Sequence, residues 1–211
     1  MDEIVDILEP PFFTATGKTK PREQAFDDGD WIGTFNLWIF SRQEEPSILY
    51  QQRSLEKSWA PGLLDLAAGG HYMAGEKLAD GLREVREELG KDYRASDIAY
   101  LGRKVYVGLD ASGRIRNNIV ELYSFEDSSP LESYTQQVEE VNGLCFCPIS
   151  ELLKVHTDDT YSFKTKLVKP DGAEEEITIS KASFPENWDN YHHKMAIMAD
   201  RHFKGEKGLI Y

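Results

Sequence analysis

The order of apolar and polar positions divides the chain into strands, one strongly amphipathic helix, more strands and a final helical stretch. Residues 34–40, Thr-Phe-Asn-Leu-Trp-Ile-Phe, are largely aromatic or β-branched and predict a buried strand. A turn at 43–46 leads into a second strand at 47–53, so the two predict a hairpin. Ahead of them, 4–8 predicts a short strand. The rest of the first thirty residues, with Pro10-Pro11, Gly17 and an acidic turn at 27–30, reads as irregular. A short strand is expected at 63–68, ending at Gly69-Gly70. The period then changes: Leu78, Leu82, Val85 and Leu89 predict a helix over 77–89, stopped by Gly90. Strands follow at 98–109, 118–125 and 140–147, and Pro148 opens a helix in its first turn. A hairpin is expected around Lys169-Pro170-Asp171-Gly172, and a last helix over 185–205. This mixture predicts an α+β fold with a mixed sheet between helices.

Composition narrows the function. The 211 residues are 40% hydrophobic and 29% charged, which fits one soluble domain of ordinary size. No apolar run is long enough for a membrane span, and the acidic start lacks the basic region of a secretory signal. A cytoplasmic location is therefore expected. Against 24 basic side chains stand 37 acidic ones, a net charge of −13, which disfavours nucleic acid and membrane as partners. The same charge repels phosphorylated small molecules unless divalent cations bring them together. Cys145 and Cys147 share one strand face and read as buried thiols of a reducing compartment. Trp31, Trp38 and Trp59 read as core, and His192-His193, in a charged stretch, as surface.

The candidate chemistry lies between Gly69 and Gly90. On the predicted helix, Glu84, Glu87 and Glu88 sit at i, i+3 and i+4 and share one face. Three such carboxylates raise one another's pKa unless a cation sits among them, and an oxygen cluster suits Mg²⁺ or Mn²⁺. The plain alternative is a solvated acidic face with an ordinary Arg83/Glu87 pair. The glycine loop, Glu76 and the Arg83-Glu84-Val85 step weigh against that alternative.

Gly70, five residues, Glu76, then Arg83-Glu84-Val85-Arg86-Glu87-Glu88-Leu89-Gly90 resembles the box over 70–90 that defines the Nudix family. Two positions depart: six residues rather than seven separate Glu76 from Arg83, and Lys91 replaces the closing aliphatic residue. The resemblance implies the Nudix fold and metal-dependent hydrolysis of a diphosphate linkage in a nucleoside diphosphate derivative. It implies that Glu84, Glu87 and Glu88 ligate the metal with the Gly70 carbonyl. Arg83 would pair with Glu76 to hold the loop on the helix.

The likeness extends over about 3–155 to the branch holding isopentenyl-diphosphate isomerase, through Trp31, Gln52-Arg53-Ser54, Lys57, Trp59-Ala60-Pro61-Gly62 and Gly70-His71. The isomerase's own catalytic positions are not kept. Its cysteine aligns with Gly69, its metal-binding histidines with Phe26 and Ile32, and its glutamates with the 117–120 stretch, Asn117-Asn118-Ile119-Val120. The expected division is a Nudix domain at 1–155, with a hairpin and helix at 156–211 packed on it or extending it. That extension could shape the pocket, form a dimer interface or pack on the sheet. Arg53, Lys57, His71 and Glu140 are the expected substrate contacts. Glu139, Arg103, Lys104, Arg114 and Arg116 are weaker candidates. The partner is expected to be a small diphosphate compound, and a homodimer is compatible with the sequence. A non-catalytic nucleotide sensor and an isomerase are the alternatives to a hydrolase.

Overall fold

The computed structural model describes residues 3–110, 112–186 and 188–211. In chain order they form β1 (Ile4–Glu9), β2 (Thr14–Pro21), α1 (Arg22–Asp27), β3 (Trp31–Ser41), β4 (Ser47–Arg53), β5 (Leu64–Asp65), β6 (Ala68–His71) and α2 (Leu78–Leu89). There follow β7 (Ala99–Leu109), β8 (Ile115–Glu126), β9 (Val141–Pro148), α3 (Ile149–Thr157), β10 (Ser162–Val168), β11 (Glu174–Ser180) and α4 (Tyr191–Phe203). Among the described residues the strands make one mixed eleven-stranded sheet.

The hub is β3. One edge runs parallel to β8 from Trp31 to Phe40. The other edge changes partner along its length. Thr34 to Leu37 pair with β6, and Ile39 to Ser41 pair with β4, both antiparallel. Beyond that point β4 pairs with β5 instead of β3, while its other edge pairs with β9 along its whole length. A cavity lies where β4 and β6 part.

Side chains alternate between the two faces of β3. Phe35, Leu37 and Ile39 meet Leu82, Val85 and Leu89 of α2 in one core cluster. Trp38 and Phe40 meet α3 and α4 through Leu152, Val155, Met195 and Ala199 in another. Each fully buried side chain of this size stabilises the fold by about 1.5–3 kcal/mol, so the two clusters clamp the sheet between helices. On the second face β3 changes character. Trp38 and Phe40 are apolar where α4 covers them, whereas Thr34 and Asn36 are polar and border the cavity. β10 pairs with β9 at Val168–Leu144, so the C-terminal hairpin continues the sheet.

Several local expectations are corrected. Residues 3–30 are not irregular: β2 pairs with β1, and α1 packs Ala25 and Phe26 on Val5, Ile7 and Ile32. No apolar alternation marks β2, because its exposed residues are held by ladder hydrogen bonds rather than by burial. The strand expected at 63–68 is two short strands, β5 and β6. Pro148 precedes the first residue of α3 rather than lying in its first turn, and α4 begins only at Tyr191. His192 is not a surface residue. It is 3% exposed and packs against Trp38, Tyr50 and Phe184, because it lies on the same stripe of α4 as Met195, Ala196 and Ala199. Trp59 is 37% exposed and is not core. Cys145 and Cys147 are buried as expected, with sulfurs 3.8 Å apart.

Candidate active site

The box folds as the strand β6, a turn and the helix α2, which ends at Gly90 with φ 64°. That left-handed cap suits glycine. Apolar positions 82, 85 and 89 face the sheet, and this turns Glu84 and Glu88 toward β6. Gly70 gives them room: a Cβ built on it would lie 2.3 Å from a Glu84 carboxylate oxygen. Glu88 is 5% exposed. Its Oε2 accepts from Gln51 Nε2 at 3.2 Å, and the Gly69 N–H also donates to its carboxylate.

These carboxyls are electrostatically strained. Burial pushes Glu84 up to about 7, against the pull of Arg83, and Glu87 adds to the rise. Burial likewise raises Glu88, and the charges of Glu84 and Glu140 raise it further. Glu87, at the outer end, has a side chain 48% exposed. Arg83 ties the group together, with Nη2 at 2.9 Å from Glu84 Oε1, Nη1 at 3.0 Å from Glu87 Oε2 and Nε at 3.4 Å from Glu76 Oε1. The shortened spacing therefore leaves the Glu76–Arg83 pair intact. Glu76 also accepts the Met73 N–H at 2.8 Å, and so pins the loop on the helix.

The donor set is of the right chemical kind for a hard divalent cation: the carboxylates of buried Glu88 and half-buried Glu84, which repel each other, beside Gly70, against which the Glu84 carboxylate packs. It is not gathered into a cage. Among the described residues no three His, Cys, Asp or Glu side chains stand close enough to hold a metal ion, and Arg83 engages two of the three glutamates.

All of these except Glu76 line a cavity of about 610 Å³. Arg53, Lys57, His71 and Glu140 line it too. Arg53 Nη1 lies 3.6 Å from Asp65, its Nε donates to the Trp59 carbonyl at 3.0 Å, and its guanidinium sits over the Trp59 ring. Lys57 is ion-paired with Glu140. Burial holds His71 down at about 3, and Arg22, Arg116 and Lys57 lower it further. His71 is therefore a neutral imidazole ringed by three cations. Its ring meets Phe26 edge-on at 5.6 Å, and Arg116 lies 3.5 Å over the other ring of that pair, Phe26.

Of the weaker candidates, Lys104, Arg114 and Arg116 line the cavity. Arg103 does not; it pairs with Glu121 at 2.6 Å. Glu139 is exposed and lies outside the lining. Sequence reasoning missed Arg22, Thr34, Gln51, Asn118, Tyr106 and Tyr191, which the fold brings to the same cavity. The signal for Thr34 was present, as a polar residue on the strand face that carries Trp38 and Phe40. Tyr191 carried none, because only the packing of α4 brings it there. Its hydroxyl accepts from Asn36 Nδ2 at 3.0 Å and from Trp38 Nε1 at 2.9 Å.

Comparisons with known proteins bear on the family and the fold. The family model described as NUDIX domain matches residues 32–167. An uncharacterized Nudix hydrolase of Clostridium acetobutylicum is 32% identical over 139 residues, covering 64% of this chain and 66% of that protein, just under two thirds. One of Pseudomonas aeruginosa is 49% identical over 141 residues, covering 60% of this chain and 77% of that protein. An isopentenyl-diphosphate Delta-isomerase of Streptomyces avermitilis is 31% identical over 154 residues, covering 71% and 75%. In fold, a MutT/nudix family protein from Enterococcus faecalis matches 82% of this chain and 62% of its own with a TM-score of 0.52 at 15% identity.

Proposed function

The chain belongs to the Nudix family, and from that premise we propose that it is a divalent-cation-dependent hydrolase of an organic diphosphate. The observation that carries the proposal is the buried carboxylate of Glu88, repelled by the half-buried Glu84, in the lining of a cavity that also carries Arg22, Arg53, Lys57 and Arg116. Burying two carboxylates together is costly unless the site is completed by positive charge. A diphosphate needs the same completion in a protein of net charge −13.

In this reading Glu84, Glu87, Glu88 and the Gly70 carbonyl would hold Mg²⁺ or Mn²⁺ once Arg83 is drawn off Glu84 and Glu87. A bound cation would supply activation of water and neutralisation of charge on the diphosphate oxygens. Arg83 and Glu76 keep the loop against α2. Arg53 and Lys57 bind the diphosphate, each released in part from its carboxylate partner, Asp65 or Glu140. His71, neutral at pH 7, donates or accepts a hydrogen bond there without adding charge. Glu140 orients Lys57. The cytoplasm is the compartment that fits the free thiols and this chemistry.

Isomerase activity is disfavoured by the positions themselves. A Cβ on Gly69 would lie 2.7 Å from the Phe35 carbonyl oxygen, so no cysteine fits there. Phe26 and Ile32 are buried in an apolar cluster and offer no metal ligand.

The test is a hydrolysis screen of the purified protein across nucleotide sugars, dinucleoside polyphosphates, NADH, oxidised nucleotides and prenyl diphosphates, with Mg²⁺, Mn²⁺ and EDTA arms. Cation-dependent turnover that is lost in Glu88→Gln is the expected result. Tight binding of one compound without turnover of any would favour a sensor.

A further inference from the structure

The lining of the cavity is of two chemical kinds. One is the set of carboxylates and cations just described. The other is a polar floor built by alternate residues of three paired strands: Thr34 and Asn36 of β3, Asn118 of β8 and Tyr106 of β7, with Asn118 directly opposite Tyr106 in the ladder. The floor adjoins the first set, since Thr34 pairs with His71 and Asn36 with Gly69. Tyr191 of α4 closes it.

This floor holds unspent hydrogen-bonding capacity. Among the described residues, buried Thr34 Oγ1, Asn118 Oδ1 and Gln51 Oε1 have no hydrogen-bond partner. Gln51 already spends its amide N–H on Glu88, so its free atom is an acceptor. Tyr191 receives two hydrogen bonds at its oxygen, which leaves its own O–H proton to donate. Buried polar atoms are nearly always paired, and an unpaired one is costly. Phosphate oxygens, which only accept, cannot satisfy carbonyl acceptors such as Asn118 Oδ1 and Gln51 Oε1. A hydrocarbon chain, with no N–H or O–H to donate, would leave all of them unpaired.

We propose that Thr34, Asn118 and Tyr191 form a specificity subsite for the group carried on the diphosphate, and that this group is rich in hydroxyl or amino hydrogen-bond donors, as a sugar is, rather than a prenyl chain. The inference rests on the diphosphate-hydrolase reading for the placement of the diphosphate at the carboxylates. It adds the class of group that the polar floor takes. It also gives the C-terminal segment a role, because Tyr191 comes from α4. The position of Tyr191 is fixed by its neighbours: Lys104 Nζ lies 3.8 Å from its ring centre and 3.2 Å from Asp189, which in turn accepts from the Tyr211 hydroxyl at 2.5 Å.

The experiment compares UDP-glucose and ADP-ribose with isopentenyl diphosphate as Mg²⁺-supplemented substrates, on the wild type, Asn118→Leu and Thr34→Val. Two variants are used so that the failure of one to fold does not end the test, and calorimetric binding accompanies turnover. The expected result is a kcat/KM at least about 100-fold higher for one of the hydroxylated compounds than for isopentenyl diphosphate. Each variant should raise KM for that compound by roughly 10-fold while kcat stays within about 2-fold. Equal or better use of isopentenyl diphosphate, or an unchanged KM in both folded variants, would overturn the subsite. Selective binding of the hydroxylated compound without turnover would keep the subsite and refute the hydrolase. Absence of both binding and turnover for all three compounds would refute both.

Discussion

The carboxylate wall and the polar floor face one cavity, yet they are assembled in opposite ways. The wall is local. Gly70, Glu76, Arg83, Glu84, Glu87 and Glu88 lie within nineteen consecutive residues, and one strand–turn–helix unit places them. The floor is non-local, drawing on β3, β8, β7 and α4, which are joined only by sheet register and by the packing of the last helix. Chemistry that needs fixed spacing between charged groups is carried on one rigid unit. Recognition of the attached group is spread over elements that can change separately. Substitutions should therefore separate the two.

The largest effect is expected at the wall. Glu88→Gln should lower kcat by more than roughly 1,000-fold, because it removes a buried carboxylate from the metal and charge machinery. Thermal stability should be kept, since neutral Gln removes the like charge that Glu88 presents to Glu84. A rate assay paired with a melting curve checks both. Next comes Gly70→Ala. Its Cβ would meet the far end of the Glu84 side chain, so Glu84 must swing away. Activity should fall by about 100-fold while Tm moves by only a few degrees. A large drop in Tm with activity retained would mean that Glu84 is structural.

The floor should answer in stability as well as in selectivity. Tyr191→Phe leaves the Asn36 amide and the Trp38 indole N–H without their acceptor. Denaturant unfolding should show a loss of about 2 kcal/mol. The smallest effect concerns pH. Burial holds His192 down at about 3, with His156 and Lys104 adding to the shift, so the folded state binds its proton less readily than the unfolded chain at about 6.5. Stability from neutral His192 is complete above about pH 6.5 and is lost as pH falls toward 3. By pH 5 the loss should be about 2 kcal/mol or less, and His192→Phe should flatten that part of the stability–pH curve. An unchanged curve in the variant would place the acid sensitivity elsewhere.

The same local and non-local division explains what the sequence disclosed. The helix over 78–89, its glycine stop and the Glu76–Arg83 pair were legible because each depends on neighbours a few residues away. The short entry from Glu76 to Arg83 was legible as a departure but not as a harmless one, because only the observed contact shows that Arg83 still reaches. β2 was hidden because its residues are polar and exposed, and His192 because burial on α4 is set by what lies across from it. Asn118 was read only as the place where isomerase glutamates are absent. Its own standing, opposite Tyr106 on the cavity floor, follows from strand register, which local pattern does not contain.

The central claim is that catalysis and selection are carried by different sets of residues in one cavity. It is tested most directly by kcat and KM for Glu88→Gln and Asn118→Leu on the best substrate from the screen. The account predicts that Glu88→Gln loses kcat with little change in KM, and that Asn118→Leu raises KM with kcat nearly intact. Loss of kcat in both, or a KM effect confined to Glu88→Gln, would contradict it.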